Sequence, residues 1–424
     1  MNIPQVATRL REQMEVFLRK LPIGKVAGRF VLEALYGIQT RQSLKLTEIA
    51  RSLNEEIPLI KTVDRLSRQA KREGLHETIA QFVAQQGAPY VEDQTLLLID
   101  PSDIAKKYAK DMQYLARVRD GSEGTLANGY WLCSVVAVEC EGHDLIPMAN
   151  RLWSQKAPDF KSENDEILTC IDTISAATDK RGIWVMDRGG DRIKLFKPLI
   201  ERDLDFIIRL VGNRDLLYRG QKKLADKIAA TTPLPYAETI IREHSDGTKT
   251  VQTIEFGHRK VKLPGHDQQL YLVVVKGFGH KPTLILTTVE VSNSRKSVWW
   301  IVQSYLTRWR IEESLRFAKQ SYDLEDIRVM SYEGLRNMMS IVLLTMFFTM
   351  CHIGLQTKLA VLCHHSLTAA KRLFGIKPFR YYAIADGIRE LLSGRFRKIF
   401  DFTSIGGSES AQPDFIDMLE LPSG

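Results

Sequence analysis

The spacing of apolar residues changes at Gly87-Ala88-Pro89, and this change divides the 424-residue chain into a first region of helices and a second region that also contains strands. Before the change, apolar residues recur at helical spacing, as in residues 16–18 and 79–82. After it, short runs of consecutive apolar residues are typical of buried strands. A break of this kind marks a boundary. We therefore predict a helical region at 1–88 and an α/β region that begins at 89.

Strands and helices alternate in residues 89–330. Three strands that can pair as a meander, followed by alternating helix and strand, indicate a mixed sheet with helices on its faces, which is an α/β fold. Runs typical of strands occupy residues 95–99, 130–140, 143–153, 182–186 and 206–211, and helices are predicted at 165–177, from after 187 to about 201, and at 295–320.

The remaining segments interrupt or follow this α/β region. The turn Ser245-Asp246-Gly247 and the strand-like runs around it predict a β-rich insertion at about 213–292. Helices are expected in a C-terminal region, residues 331–402. Its apolar run 341–355 is too short to span a bilayer and predicts a buried helix. Residues 403–424 are acidic and rich in Ser and Gly, and we expect them to be flexible.

Charge and cysteine content narrow the classes of function. A net charge of +8 at pH 7 favours a polyanionic partner such as nucleic acid, although many soluble proteins are mildly basic. The cysteines show no paired framework and the N-terminus shows no secretory signal, so we expect a reducing cytoplasm. Cys351-His352 and Cys363-His364-His365 match no usual zinc-binding spacing, and core and surface roles are predicted for them.

Two short helices joined by a turn are predicted within the N-terminal region, at residues 46–53 and 59–72. The second helix carries Lys61, Arg65 and Arg68, so the pair resembles a helix-turn-helix whose second helix contacts DNA. The alternative is a plain helical bundle with a solvated basic face.

Two predicted strands each end on an aspartate, Asp100 and Asp187. The end of a strand is a rigid place from which to direct a carboxylate into a shared cleft. The alternative is structural, because Asp often follows a strand as a turn former or helix cap. We predict such a capping role for Asp191, and we expect Asp103 to orient Lys106 or its neighbour.

A stripe of polar residues runs along the predicted helix at 304–319. At about 100° per residue, Tyr305, Arg308, Glu312 and Lys319 fall on one narrow arc, whereas Glu313 points away from it. The alternative is an exposed face with ion pairs, because Arg308 and Glu312 are four residues apart.

The spacing Tyr305-x2-Arg308-x3-Glu312-x6-Lys319 resembles the Y-R-E-K signature of bacterial DDE transposases of insertion-sequence family four. The resemblance extends from about residue 90 to 330. It implies an RNase H-like core with a β-rich insertion before the last catalytic helix. Three further segments are similar to blocks of that family: Asp100-Pro101-Ser102-Asp103, Asp120-Gly121-Ser122-Glu123-Gly124 and Asp187-Arg188-Gly189-Gly190-Asp191.

The resemblance also implies a site chemistry. Asp100, Asp187 and Glu312 would bind two Mg²⁺ (or Mn²⁺) ions, because hard cations prefer carboxylate oxygens and paired metals catalyse phosphoryl transfer. Arg308 and Lys319 would hold DNA phosphates, and Tyr305 would donate a hydrogen bond to a phosphate or pack on a sugar. Trp299 or Trp300 would stack on a flipped base; core packing is the alternative for at least one of these two tryptophans.

The implied function is cut-and-paste transposition, in which DNA is cut at terminal inverted repeats and the freed 3′-hydroxyl ends are joined to target DNA. The expected partners are double-stranded DNA and a second copy of the chain, with a dimer surface in the helices after residue 331, and no membrane. The expected location is the bacterial cytoplasm, at the nucleoid when the protein is bound to DNA. Two alternatives stay open: an RNase H-like DNA nuclease without strand transfer, and a non-catalytic DNA-binding derivative of a transposase.

Overall fold

The computed structural model describes residues 3–119, 124–243, 249–355, 359–370 and 379–393. Two of the segments singled out in the sequence, 120–123 and the turn 245–247, lie outside these residues, as does the acidic segment 403–424. The described chain combines helices and strands around a mixed sheet, which confirms the α/β class.

Five helices precede the sheet, as the apolar spacing predicted. The third and fourth match the predicted helix pair, although the fourth ends two residues earlier than expected. The last of the five ends at Gly87, and the first strand begins at Leu96, which confirms the predicted change of structure between them. The helices are α1 Ile3–Leu18, α2 Lys25–Arg41, α3 Leu46–Leu53, α4 Leu59–Ala70 and α5 Leu75–Gly87.

The predicted meander forms one half of the sheet. It comprises β1 Leu96–Ala105, β2 Ala116–Arg119, β3 Leu126–Val138 and β4 Ile146–Trp153, in which β3 pairs antiparallel with the other three. Two parallel strands follow on the other side of β1. These are β5 Ile183–Met186 and β6 Phe206–Arg209; α6 Glu163–Ala177 precedes β5, and α7 Ile193–Glu201 lies between the two strands. The short strand β2 was not predicted.

The insertion continues the sheet. It begins with a small separate ladder, β7 Asp215–Tyr218 and β8 Gln221–Leu224, and the helix α8 Ala225–Ala230. Four strands follow: β9 Tyr236–Glu243, β10 Lys249–Val261, β11 Leu270–Lys276 and β12 Thr283–Thr287. Because β12 pairs with β6, ten of the described strands form one sheet in the order β2-β3-β1-β5-β6-β12-β11-β10-β9, with β4 paired to β3 off this path. The strands at 215–287 lie between β6 and α9 in the chain, where the sequence places the β-rich insertion, and they extend the sheet because β12 hydrogen-bonds the otherwise open edge of β6.

The C-terminal helices pack on the N-terminal ones. After α9 Arg295–Thr307 and α10 Arg310–Tyr322 come α11 Tyr332–Phe347, which continues as a π-helical turn to Ile353, then α12 Ala360–Ala369 and α13 Tyr381–Ser393. The stretch 332–353 is long and apolar enough to cross a membrane by length and composition, but 94% of its most apolar window is buried inside the chain. The predicted buried helix is confirmed, and it begins nine residues earlier than the apolar run suggested. Its burial against α2, α5 and β4 removes α11 from the surface on which we expected a dimer contact.

Candidate active site

The pairing of β1 with β5 places Asp100 beside Asp187. The two strands are parallel, and Leu96, Leu97 and Leu98 lie opposite Ile183, Trp184 and Val185. Two further residues in this register bring Asp100 level with Asp187. Neighbouring strands lie about 4.8 Å apart, and residues in register point to the same face. Two carboxylates therefore leave the same edge of the parallel strands side by side.

Asp100 lies in the middle of its strand, so the prediction that the strand ends there was wrong. Ten consecutive residues of β1, through Ala105, pair with β3, and Asp100 lies opposite Ser134. The long partner strand supplies hydrogen bonds well beyond the point where the apolar run stops. Asp187 does follow the last residue of β5 directly, as predicted.

A tight turn after β5 fixes the position of the Asp187 carboxylate. Its Oδ1 accepts a hydrogen bond from the backbone N–H of Gly189 at 2.6 Å and closes a 3₁₀ turn. A Cβ at position 189 would lie 2.9 Å from that oxygen, and a Cβ at position 190 would lie 2.7 Å from the Cβ of Met186. The two glycines therefore permit the close approach that holds Asp187 at the sheet edge.

Asp191 does not cap the next helix, so its predicted role was wrong. Its carboxylate is almost fully buried; it accepts from the backbone N–H of Val211 at 2.7 Å and from Nε of Arg214 at 2.6 Å. Both partners lie at the start of the insertion, where a buried carboxylate is more stable with two donors than as an exposed cap. Asp191 thus joins the insertion to the turn that carries Asp187.

Lys106 is held by main-chain groups, since its Nζ donates to the carbonyl oxygens of Glu325 and Ile327.

The predicted catalytic helix is two helices joined at Arg308 and Trp309. Four backbone bonds at this joint connect residues three apart, for example Arg308 N–H to Tyr305 O at 3.2 Å and Glu312 N–H to Trp309 O at 3.2 Å. Such bonds tighten the turn to about 120° per residue. The angles counted on one continuous α-helix therefore do not apply across the joint.

Arg308 connects the third acid to the first. Its Nη1 lies 3.8 Å from Asp100 Oδ1, and its Nη2 lies 3.3 Å from Glu312 Oε1. The Arg308 side chain is only 12% exposed, so the alternative of a solvated ion pair does not describe it. The structure brings together Asp100, Asp187, Glu312 and Arg308, as predicted.

Burial and like charge determine the electrostatics of this group. Burial raises the pKa of Asp100 to about 7; Arg308 opposes this shift, and the charges of Asp187 and Glu312 add to it. Burial alone would lower the pKa of Arg308, but Asp100, with Tyr305 and the other two acids, raises it. Buried carboxylates that repel one another are stabilised by a cation between them or by protonation of one of them.

This donor set fits a divalent metal by its chemistry. Two carboxylates on the sheet edge and one on α10 offer the oxygen ligands that hard cations prefer, and a divalent ion would relieve the repulsion that adds to the effect of burial on the pKa of Asp100. Within the described residues, a different set of metal-binding side chains, His76, Glu77 and Glu333, has ligand atoms that all lie within 4.8 Å of one another. The three site carboxylates are therefore spread more widely, with the Arg308 guanidinium against two of them.

The other predicted residues near the site have varied surroundings. Tyr305 is half-buried beside Arg308, and the Nζ of Lys319 lies 2.7 Å from Glu325 Oε1. Trp299 is half-buried and its ring centroid lies 5.3 Å from that of Phe256, which is core packing; Trp300 is also half-buried.

Trp309 was missed in the sequence. It is 59% exposed and follows Arg308 directly, and this adjacency was the signal that could have identified it. With Trp299 it lines a cavity of about 460 Å³ on α9 and α10, together with Glu141, His143, Gln303 and Arg310. None of the three site acids lines this cavity.

In the helix pair α3–α4, Lys61 and Arg68 are exposed, as predicted. Arg65 is not placed as expected: its guanidinium pairs with Glu33 and, at 2.9 Å, with Glu55. The correction has a physical reason, since the Glu33 carboxylate is fully buried and needs cationic partners.

The sequence matches the family described as transposase DDE domain over residues 92–348, a range that includes the three acids and Arg308. The chain belongs to this family. It is therefore a DDE transposase, a metal-dependent enzyme that cuts and joins DNA and uses divalent metal ions. This membership confirms the transposase part of the resemblance.

No curated protein matches the sequence. One similar solved structure is described as a cryo-EM structure of the piggyBac transposase synaptic complex with hairpin DNA. It is 10% identical, with a TM-score of 0.41, over 97% of this chain and 84% of that chain. A similarity at this level carries no argument about function.

Proposed function

We propose that this DDE transposase is a cut-and-paste enzyme of the bacterial Y-R-E-K type, in insertion-sequence family four, with an RNase H-like core. The observation that carries the proposal is the register that sets Asp100 beside Asp187, with Arg308 reaching from Asp100 to Glu312. Its proposed partners are the terminal inverted repeats of its element and a target duplex, in the bacterial cytoplasm. The proposed active assembly is a dimer on DNA, because two ends must be held together.

Asp100, Asp187 and Glu312 would hold two Mg²⁺ or Mn²⁺ ions. When bound, the ions supply charge neutralisation and a nucleophile at neutral pH. In the first step, a water oxygen bonds to phosphorus and the 3′ oxygen leaves. In the second, that 3′-hydroxyl bonds to a target phosphorus, and the target strand's own bridging oxygen leaves.

The chain's remaining residues position DNA for both steps. Arg308, held by the acids, presents donors to the phosphate that reacts. Tyr305 lies beside it and donates a hydrogen bond to a neighbouring phosphate or packs on a sugar. Lys319 contacts a phosphate farther along α10, and there it exchanges its ion pair with Glu325 for the DNA. Trp299 or Trp300 remains a candidate for base stacking, and the exposed Trp309 joins them.

The test compares wild type with Glu312→Gln on a supercoiled plasmid that carries the gene with the DNA on both sides of it. Glu313→Gln is the matched control, because Glu313 is the next residue and pairs with Arg310 instead of the site. We expect wild type and the control to cut and join in Mg²⁺ or Mn²⁺, and Glu312→Gln to bind DNA while losing at least about 100-fold in cleavage.

Equal cleavage by wild type and Glu312→Gln would contradict the assignment of Glu312. Cleavage by wild type without joined products would favour the nuclease alternative. DNA binding without cleavage by either protein would favour the non-catalytic one.

A further inference from the structure

The first turn of α4 and the residue pair before it expose a cluster of aliphatic side chains. Ile60 is 61% exposed, Ile57 49% and Leu59 39%. The other exposed large hydrophobic side chains in the described parts of the chain are more scattered; no other four-residue stretch there holds three of them. Contiguous exposed apolar side chains are typical of interaction sites.

The opposite face of α4 is fully occupied. Thr62, Leu66 and Ala70 are buried, and the Thr62 hydroxyl donates to Glu55 Oε2 at 2.6 Å. Arg65 lies at the edge of this face, where Glu33 and Glu55 hold it. At the far end, the Asn337 side chain of α11 donates to the carbonyl oxygens of Ala70 and Arg72 at 2.8 and 2.7 Å. The orientation of α4 is thereby set by contacts within the chain.

The solvent-facing side of α4 is a stripe of apolar and charged residues. At about 100° per residue, Ile60, Asp64, Arg68 and Lys61 fall on one arc of α4. All four are exposed. Lys71 and Arg72 extend the basic end of the stripe beyond the helix, and the exposed acids of the same stretch are Glu56, Asp64 and Glu73. We call Ile57, Ile60, Lys61, Asp64 and Arg68 the outer face of α4.

We propose that the outer face of α4 enters the major groove of DNA and that Ile57 and Ile60 distinguish thymine by its C5-methyl group. The proposal rests on the DNA-binding role that the sequence predicts for this helix pair and on the proposed binding of terminal repeats. The exposed charges of residues 56–73 are four basic and three acidic, a net charge of +1, and Arg68, Lys71 and Arg72 gather at the end of α4. This basic end favours DNA over a second protein copy as the occupant. A recognition helix contacts base edges with its N-terminal residues, where the isoleucines lie, and the thymine methyl is the apolar feature of those edges.

The charged residues of the outer face complete the recognition. Lys61 and Arg68 contact phosphates on either side of the groove or a guanine edge, and Asp64 accepts from a cytosine amino group. Arg65 takes no part in reading the bases, because its guanidinium bonds to Glu33 and Glu55. We therefore assign recognition of the DNA sequence to the outer face of α4, which includes the two isoleucines and leaves out Arg65.

The test uses full-length protein and short duplexes with a randomised centre. Duplexes retained by wild type are sequenced, and the preferred duplex is made with thymine and then with deoxyuridine, which lacks the methyl group, at each thymine in turn. We expect wild type to bind the thymine form about four-fold more tightly at one or two positions, the factor for one buried methyl group. Ile60→Ala or Ile57→Ala should abolish that preference.

Val26→Ala is the control, because Val26 is as exposed as Ile60 but lies on α2, outside the outer face. It should keep the wild-type preference, and all three variants should keep the wild-type melting temperature. A wild type that selects a sequence but binds thymine and deoxyuridine equally would overturn the inference and leave the proposed DNA binding intact. The inference would also be overturned if wild type selected no sequence. It would be overturned as well if Ile60→Ala lost a dimer seen by light scattering while its DNA affinity stayed unchanged. Failure to bind any duplex would instead overturn the proposed role of the helix pair itself.

Discussion

At the residue scale, Arg65 shows how a buried acid determines the role of a nearby cation. Glu33 lies on α2 with no exposed side-chain surface, and two guanidinium groups, those of Arg29 and Arg65, pair with it. Arg65 also bonds to Glu55 in the turn before α4. An unpaired buried carboxylate is costly, so these contacts hold α4 on α2 more firmly than a surface ion pair would.

We expect Arg65→Ala to lower the free energy of unfolding by about 1–3 kcal/mol, because it removes one of the two cations from Glu33. Chemical denaturation monitored by circular dichroism measures this change. Arg68→Ala, on the same helix but exposed, should leave stability within about 0.5 kcal/mol of wild type. If Arg68 contacts a phosphate, Arg68→Ala should also reduce the slope of log DNA affinity against log salt concentration by about 1. Equal stability of the two variants would refute the structural role of Arg65.

At the element scale, α11 is the support on which α4 and α5 are placed. Asn337 is fully buried and donates both amide hydrogens to carbonyl groups at the end of α4. One turn earlier, Oε1 of Glu333 accepts a hydrogen bond from Nδ1 of His76 in α5 at 3.2 Å. Because α11 also packs on β4 of the sheet, the proposed DNA-reading helix has a fixed position relative to the catalytic strands.

Replacement of Asn337 by Ala should loosen the end of α4 without touching the catalytic acids. It leaves the carbonyl groups of Ala70 and Arg72 without that donor, so we expect a loss of about 1–3 kcal/mol in stability and faster amide exchange in residues 66–72. Hydrogen-exchange mass spectrometry measures the second effect. Exchange that rises equally in β1 and β5 would show that the contact stabilises the whole chain and not the placement of α4.

At the scale of the whole molecule, the helices from both ends of the chain share one core. Phe17 of α1 lies 5.5 Å from Phe82 of α5 and 6.0 Å from Phe347 of α11, measured between ring centroids. Gln39 of α2 also donates to Thr349 at 2.7 Å in the buried interior. The apolar surface of α11 is therefore covered in large part by residues that precede the sheet.

A fragment that begins at residue 89 should therefore fail to fold on its own, although it contains every candidate catalytic residue. Removal of α1–α5 exposes the apolar face of α11, and such a surface leads to aggregation. We expect the fragment to be insoluble alone and to be recovered in soluble form when residues 1–88 are co-expressed with it. Size-exclusion chromatography distinguishes the two outcomes, and a soluble, monomeric fragment 89–393 with a cooperative melting transition would contradict this account.

Much of the fold and the site followed from local patterns that depend on near neighbours in the chain. Helical spacing identified α3 and α4, and consecutive apolar residues identified β1 and β5, because burial favours such patterns wherever the element packs. The spacing of Tyr305, Arg308, Glu312 and Lys319 pointed to the transposase family, and the family match agrees. The acids Asp100 and Asp187 were identified by the apolar runs that precede them.

Tertiary structure decided the features that depend on partners far away in sequence. The length of β1 beyond Asp100 is set by pairing with β3, and the place of the insertion is set by the edge of β6 that β12 covers. Asp191 bonds to Arg214 and Arg65 bonds to Glu33, and neither partner can be read from local spacing. A sequence records which side chains are apolar or charged. Only the packed chain determines which charge each one meets, because that depends on distances between segments that local periodicity does not contain.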